Sequence, residues 1–424
     1  MKKNISGRRR LFVILLAAVM ILSVMLSGCG SSGTQETGKS TSPRAEETQG
    51  QEESAELKTE ADGETKQAEA EVDENAPEIK GLTYESTMEM VYAEAVDVYY
   101  YNDGYALIDV HDSAEYLVVP ENQPVPEELD EDIIVLEQPL DKIYLAATSA
   151  MALFDALDAL GSIRLSGTQA SGWYIDNAVK AMEAGGIIFA GKYSEPDYEL
   201  LVDEECDLAI ESTMILHTPK VQEMIEMLDI PVFIDRSSYE THPLGRTEWI
   251  KVYGVLVDKE EAAEAFFEEQ TKVISELKDF TNTEKTVVYF YINTSGAAIV
   301  RRADDYIPKM IEIAGGRYPF DYLIGEDYTS TSISLSMEEF YATAVNADYL
   351  VYNASIDSPI GSIDELLAKS ELFADFKAVK EGNVWSTGKS LYQATDIVGE
   401  LIRDLNLMLT DGDEAEMTFL TRVE

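Results

Sequence analysis

The spacing of apolar residues divides the chain into segments of different secondary structure. Between residues 86 and 137, β-branched and aromatic residues alternate with polar ones, and an Asp-Gly turn inside YYYNDGYALIDV separates two such runs. Alternation with a period of two is typical of half-buried strands, and Asp-Gly favours a tight hairpin. The pattern predicts an antiparallel β meander over residues 86–137.

After Pro139 the pattern changes to short apolar runs that alternate with amphipathic ones. KIYLAAT, CDLAIES and IPVFID are typical of buried strands, whereas SAMALFDALDALG has helical spacing with Gly161 as its C-cap. The same alternation returns in the last third of the chain, from KTVVYFYI onward. Such alternation predicts βαβ units around mainly parallel sheets.

A longer helical pattern separates these two α/β regions. Residues 244–280 are helical in spacing throughout, with a possible division near Asp258. We therefore expect an N-terminal lobe at 81–257, a connecting helix at 258–281 and a C-terminal α/β lobe at 282–424. The predicted fold is α/β, with two Rossmann-like lobes joined by a single long helix.

The N-terminus combines a basic cluster with a short apolar run. Residues 11–25 carry no charge, and Leu-Ser-Gly-Cys follows at 26–29. A run this short is typical of a secretory signal, since a spanning helix needs roughly 20 apolar residues. The last four residues resemble the lipobox of bacterial lipoproteins, which implies a signal peptide at 1–28 and lipidation of Cys29 on the outer face of the cell membrane. An uncleaved anchor helix is the alternative.

Composition adds limits on the partners and the redox state. Residues 29–80 are acidic, with almost no large apolar side chains, and this predicts a disordered tether. The formal net charge of −48 excludes binding to nucleic acid through phosphate neutralisation. With Cys29 lipidated, Cys206 has no disulfide partner, and we expect it to be a buried free thiol rather than a reactive or metal-bound one.

Several stretches, taken in order, resemble one family of receptors. KIYLAATSAMALFDALDALG, EPDYELLVDEECDLAIES, SMEEFYATAVNADYLVYNAS and FADFKAVKEGNVWST are similar to segments of class III ABC-transporter substrate-binding proteins, which bind iron-siderophores, cobalamin or haem. The resemblance covers about residues 138–410 and does not include the meander. It implies a ligand cleft between two lobes, a monomer without cofactor or enzymatic activity, and an ABC permease and ATPase as partners.

Ligand loops are expected after the carboxyl ends of the strands in each lobe. Arginine offers planar donors to the oxygens of an iron complex, and aromatic rings stack on it. The alternative for each arginine is a surface ion pair. The candidate ligand-binding residues are Ser149, Met151, Lys192, Tyr193, Ser212, Arg236, His242, Arg246, Arg301, Arg302, Tyr318 and Tyr352.

The resemblance also implies a glutamate on each lobe that docks onto the permease. By motif, these are Glu199 in DYELL and Glu338 or Glu339 in SMEEF. The expected function is capture of a ferric siderophore or similar iron complex for an ABC importer. A corrinoid or haem receptor of the same class, or a surface ligand sensor without transport, is the alternative. Three dispersed histidines make a bare-metal site a minor hypothesis, and the sequence contains no GxSxG or HExxH motif of an exported hydrolase.

Overall fold

The computed structural model describes residues 73, 75–277, 282–324 and 330–424. The predicted signal peptide at 1–28, the lipidated Cys29 and nearly all of the predicted tether at 29–80 lie outside the described residues. Within the described ranges, no helix is both long and apolar enough to cross a bilayer.

The first sheet has five strands in the order β1-β2-β3-β4-β5. They are β1 (Tyr84–Thr87), β2 (Val96–Tyr101), β3 (Ala106–Val110), β4 (Glu115–Val119) and β5 (Ile134–Glu137). The predicted antiparallel meander is confirmed for β1 to β4, whereas β5 pairs parallel to β4. The parallel pairing requires the long connection at 120–133, because a tight turn can join only antiparallel neighbours.

Alternation along β2 explains how this sheet is held. Val96 and Val98 belong to the large core that the sheet shares with the rest of the chain, whereas Tyr99 and Tyr101 face a smaller core with Ile79. Residues of opposite parity point to opposite faces of a strand, so both faces of the sheet are covered.

The second sheet is fully parallel and builds the first lobe, in the order β12-β11-β6-β7-β8. The elements of this lobe are β6 (Ile143–Leu145), α1 (Met151–Ala156), β7 (Ile163–Ser166), α2 (Asp176–Glu183), β8 (Ile188–Phe189), the small hairpin β9 (Gly191–Lys192) and β10 (Glu195–Pro196), α3 (Tyr198–Asp203), β11 (Leu208–Ser212), α4 (Pro219–Glu226) and β12 (Val232–Asp235).

The first lobe tests two predictions made from the sequence. The predicted C-cap at Gly161 is wrong: α1 ends at Ala156, and Gly161 lies in a separate 3-10 turn. The helix stops early because Asp158 adopts a left-handed φ of 51°. The prediction for Cys206 is confirmed, since its thiol is buried and free, and burial raises its pKa to about 12.

Two consecutive helices lead from the first lobe to the second. Helix α5 (Pro243–Leu256) is buried along nearly its whole length, and α6 (Glu260–Ser275) follows after a break at Asp258, which has a φ of 57°. The helices pack closely, because a Cβ atom built on Gly254 would lie 2.9 Å from the Cβ of Ala263.

The third sheet builds the second lobe, in the order β15-β14-β13-β16-β17-β18. Its elements are β13 (Val287–Ile292), β14 (Ala298–Arg301), α7 (Tyr306–Ile313), β15 (Ser332–Leu335), α8 (Met337–Ala344), β16 (Tyr349–Tyr352), α9 (Ile363–Lys369), α10 (Lys377–Glu381), β17 (Val384–Thr387), α11 (Val398–Leu409) and β18 (Leu420–Arg422). The expected parallel pairing occurs at the centre, between β13, β16 and β17, while β14, β15 and β18 pair antiparallel at the edges.

Candidate ligand cleft between the two lobes

The lobes meet directly beside the connecting helices. The Gln393 amide of the second lobe donates to the carbonyl of Gly172 at 2.8 Å and accepts from the N–H of Tyr174 at 2.8 Å. Thr247 of α5 donates to the carbonyl of Thr395 at 2.8 Å. These three bonds are buried or half-buried, so they fix the two lobes at close range.

A cavity of about 650 Å³ lies between residues of the two lobes. Thr241 and His242 line it from the loop after β12, Glu94 lines it from the segment between β1 and β2, and α7 with its flanking loops closes the other side. A second cavity of about 180 Å³ shares Thr241 with the first and adds Tyr239. We call these two cavities together the cleft.

The loop after β12 is fixed by a buried carboxylate. Asp235 accepts a hydrogen bond from the Ser149 hydroxyl at 3.0 Å and from the Ser237 N–H at 2.6 Å. The neighbouring Arg236 donates to the carbonyl of Asp112 at 3.3 Å, and its guanidinium lies 5.2 Å from the ring centre of Tyr239. The first sheet therefore touches the loop that supplies Tyr239 and His242 to the cleft.

His242 begins α5 and is held from two sides. Its Nδ1 accepts the N–H of Leu244 at 3.2 Å, and its ring stacks on Tyr92 with 4.4 Å between centroids. Burial, assisted by the positive charge of Lys309, lowers the pKa of His242 to about 4. The imidazole is therefore neutral at physiological pH, and the acceptor role of Nδ1 places its proton on Nε2.

The second lobe contributes a group of arginines and tyrosines. Arg301 lies 3.6 Å from the Asp305 carboxylate, and the Tyr318 hydroxyl donates to the Arg301 carbonyl at 2.8 Å. The guanidinium groups of Arg246 and Arg301 lie 4.2 and 5.8 Å from the ring centre of Tyr306. Burial raises the pKa of Asp305, although Arg301 opposes this shift.

The structure brings some of the predicted ligand residues together. His242, Arg302 and Tyr318 line the cleft, whereas Arg246 lines a separate small cavity beside Tyr306. Arg301 contacts Tyr306 within the second lobe. Ser149 and Arg236 do not line the cleft but support the loop after β12.

Other predicted residues lie elsewhere. Met151 and Tyr352 are fully buried in the core, so these two predictions are corrected: neither side chain has surface for a ligand. The Tyr352 hydroxyl donates to Asp357 at 2.7 Å. Lys192 and Tyr193 belong to the β9–β10 hairpin, and Ser212 caps the turn after β11 by accepting the N–H of Met214.

Several residues of the cleft were not predicted from the sequence. They are Glu94, Tyr239, Asp304, Asp305, Lys309, Arg317, Asp321 and Thr331. Glu94 lies outside the region of resemblance, and acidic residues are too frequent in this chain to mark a site. In the described part of the chain, no group of three or more His, Cys, Asp or Glu side chains is arranged to hold a metal ion.

The predicted docking glutamates lie in the first turns of two helices. Glu199 in α3 and Glu338 in α8 are exposed. Glu339 accepts the N–H and the hydroxyl of Ser336 at 3.0 and 2.9 Å, and these bonds lower its pKa. The Glu339 carboxylate is thus engaged in capping its own helix.

Two α/β lobes around a cleft, joined by consecutive helices, define the class of substrate-binding proteins that serve ABC transporters. The chain belongs to the periplasmic binding protein family, whose model matches residues 154–391. The resemblance inferred from the sequence and the predicted fold class are thereby confirmed. Proteins of this family bind solutes and are not enzymes.

Individual relatives support the same fold. An uncharacterized lipoprotein of Methanocaldococcus jannaschii is 24% identical over 351 residues, which cover 75% of this chain and 81% of the relative. A periplasmic haem-binding protein from Pseudomonas aeruginosa superimposes with a TM-score of 0.51 and 15% identity, over 67% of this chain and 98% of that one. The triscatecholate siderophore binding protein FeuA from Bacillus subtilis gives a TM-score of 0.50 and 17% identity, over 65% and 94%. At these identities the solved structures establish the fold alone.

Proposed function

We propose that this protein is a lipid-anchored receptor on the outer face of the cell membrane that captures a metal chelate for an ABC importer. The first candidate is a ferric siderophore, held in the cleft, and the partners are the permease and its ATPase. In this proposal residues 1–28 are the signal peptide, Cys29 carries the lipid, and 29–80 form a tether.

The cavity between the lobes is the observation that carries the proposal. Its volume of about 650 Å³ lies within the range of roughly 300–1,000 Å³ that is usual for small-molecule sites. Tyr239 is 51% exposed and offers an aromatic face, while the bonds of Gln393 hold the lobes in place without a ligand. A chelate would then meet a largely preformed site.

The docking part of the proposal assigns one glutamate to each lobe. Glu199 and Glu338 are exposed, whereas the capping bonds of Glu339 favour Glu338 as the contact in the second lobe. Replacing both Glu199 and Glu338 by glutamine should leave chelate affinity unchanged and abolish uptake by cells that carry the permease. Unchanged uptake would remove the docking role, and Glu381→Gln serves as an exposed control.

The test of ligand capture is calorimetric titration of the full chain in detergent. The probes are a ferric trihydroxamate, a ferric tris-catecholate, cobalamin, haem, zinc and manganese. We expect saturable binding of one chelate, weakened roughly tenfold or more by Tyr239→Ala, since exposed aromatic anchors dominate binding energy. Tyr322→Ala is the matched control, because Tyr322 is similarly exposed at 54% and lies outside the cleft.

The outcomes separate the hypotheses. Binding of haem or cobalamin alone would move the assignment to the alternative receptors of the same class. Binding of a free metal alone, or of none of the probes, would contradict chelate capture. Equal effects of the two tyrosine variants would place the ligand outside the cleft.

A further inference from the structure

The charges around the cleft are unequal. Carboxylates line it at Glu94, Asp304, Asp305, Glu312 and Asp321. The cationic side chains that line the two cavities are Lys309, Arg317 and Arg302. His242 adds no positive charge, because its pKa is lowered to about 4. Negative charge therefore predominates.

Ion pairing reduces the positive charge that is available to a ligand. Arg302 donates to the Asp304 carboxylate at 2.8 Å, and Lys309 lies 2.9 Å from Glu312. Among the described residues, Glu94 and Asp321 form no ion pair, and neither does Arg317. Within the described ranges, the larger cavity is thus lined by two carboxylates and one guanidinium that have no ion pair.

Arg246 and Arg301 do not line the two cavities of the cleft and do not reverse this balance. Arg301 is neutralised by Asp305 at 3.6 Å, and the Arg246 guanidinium lies over the Tyr306 ring. A sixth carboxylate, Glu240, also lines the smaller cavity, where it accepts the N–H groups of Glu94 and Ala95. In addition, the chain as a whole has a formal charge of −48, which repels anions at long range.

We propose that the cleft selects a neutral or cationic metal chelate and discriminates against polyanionic ones. This inference rests on the proposed function and narrows its substrate class. A trianionic ferric tris-catecholate would bring like charge next to Glu94 and Asp321. A neutral ferric trihydroxamate, or one with a free ammonium group, avoids this cost.

The first test compares affinity and its dependence on salt in the full chain. The probes are a cationic ferric trihydroxamate, a neutral one, cobalamin and a ferric tris-catecholate, at low and at physiological ionic strength. We expect the tightest binding from a cationic or neutral probe, with cation affinity falling as salt screens the attraction. Tight binding of the tris-catecholate that weakens with salt would overturn the charge inference and leave the receptor function intact. Failure of every probe to bind would contradict the receptor function itself.

The second test changes the charge of the cleft directly. Glu94→Gln and Asp321→Asn should each improve tris-catecholate affinity roughly three- to tenfold, as expected for removing one charge at about 10 Å from a trianion. Affinity for the neutral probe should stay within about twofold. Glu381→Gln removes an exposed charge that does not line the cleft and should change neither affinity. Equal gains in all three variants would show a general effect of net charge and overturn selection by the cleft.

Discussion

Glu211 is a buried carboxyl in β11 whose surroundings disfavour its charge. Its side chain has no solvent exposure, and neither carboxylate oxygen has a hydrogen-bond partner in the described part of the chain. Burial raises the pKa of Glu211 to about 8. The folded protein therefore holds a proton that the unfolded chain releases near the ordinary glutamate pKa.

We predict that Glu211→Gln raises the free energy of unfolding, relative to wild type, more at pH 8 than at pH 5. Because the folded pKa is raised, the contribution of Glu211 to stability is fully present below the unfolded pKa and is lost as pH rises towards 8. The gain between the two pH values should be roughly 3 to 4 kcal/mol.

Urea unfolding of wild type and Glu211→Gln at both pH values measures this difference, and Glu199→Gln is the exposed control. Burying the glutamine amide in place of Glu211 also costs free energy, but this cost does not depend on pH. A stability difference between wild type and Glu211→Gln that is the same at pH 5 and pH 8 would show that Glu211 is ionised in the folded state.

The positions that follow strands led the sequence analysis to His242 and Arg302, which line the cleft. Their contact with a ligand stays a prediction. Tyr352 was misplaced because strand position alone does not give the face: it is the last residue of β16, and its hydroxyl turns to Asp357. Glu94 and Asp304 carry no signal of their own in a chain with 80 acidic residues.

At the scale of elements, the segment between β1 and β2 is bound to α5 by a buried carboxylate. Glu248 accepts the N–H groups of Val91, Tyr92 and Ala93 at 2.8, 2.7 and 2.8 Å. Lys251 lies 3.4 Å from Glu248 and donates to the Glu89 carbonyl at 3.1 Å. This network attaches the first sheet to the helices that connect the lobes.

Replacing Glu248 by glutamine should therefore release this segment. The amide has one acceptor oxygen and two donors, so at least one of the three N–H groups would lose its partner and the buried Lys251 would lose a charge partner, at a cost of about 2 to 4 kcal/mol. Hydrogen exchange should speed up at residues 89–95, and the thermal midpoint should fall.

Glu264→Gln is the matched control, since Glu264 binds the same Lys251 at 2.9 Å but is 53% exposed. We expect it to cost less than about 1 kcal/mol. If Glu248→Gln lowers the thermal midpoint no more than Glu264→Gln does, the segment is held by its apolar contacts alone.

Helical spacing predicted α5 and α6, with the division near Asp258, although α5 is buried on almost all sides and lacks a polar face. Residues 362–382 read as one helical pattern but form α9 and α10 with a 3-10 turn between them, because Ser370 and Phe376 are extended. Short edge strands such as β18 pair with distant segments, and a local pattern cannot show this.

For the whole molecule, the arrangement of the lobes came from the resemblance, while the position of the cleft required the structure. The first sheet lies outside the matched residues 154–391, yet the segment between its strands β1 and β2 supplies Glu94 to the cleft. Contacts between parts so distant in sequence depend on the packing of three sheets, which no local pattern encodes.

The lobe contact yields the last prediction, which concerns Gln393. This side chain is 1% exposed and is bound on both ends to the backbone of the first lobe, at Gly172 and Tyr174. Gln393→Ala leaves two backbone groups without partners and should lower stability by about 1 to 3 kcal/mol. It should also speed hydrogen exchange at 170–175 and raise the dissociation rate of a bound chelate, because the lobes separate more easily.

Hydrogen exchange with mass spectrometry and stopped-flow release measure these effects. Gln222→Ala is the control, since Gln222 bonds only to Glu226 within α4 among the described residues. If exchange at 170–175 stays unchanged in Gln393→Ala, the lobes are held by α5, α6, α7 and α11 instead. The cleft would then owe its shape to the helical core, and Gln393 would serve only to satisfy the loop it touches.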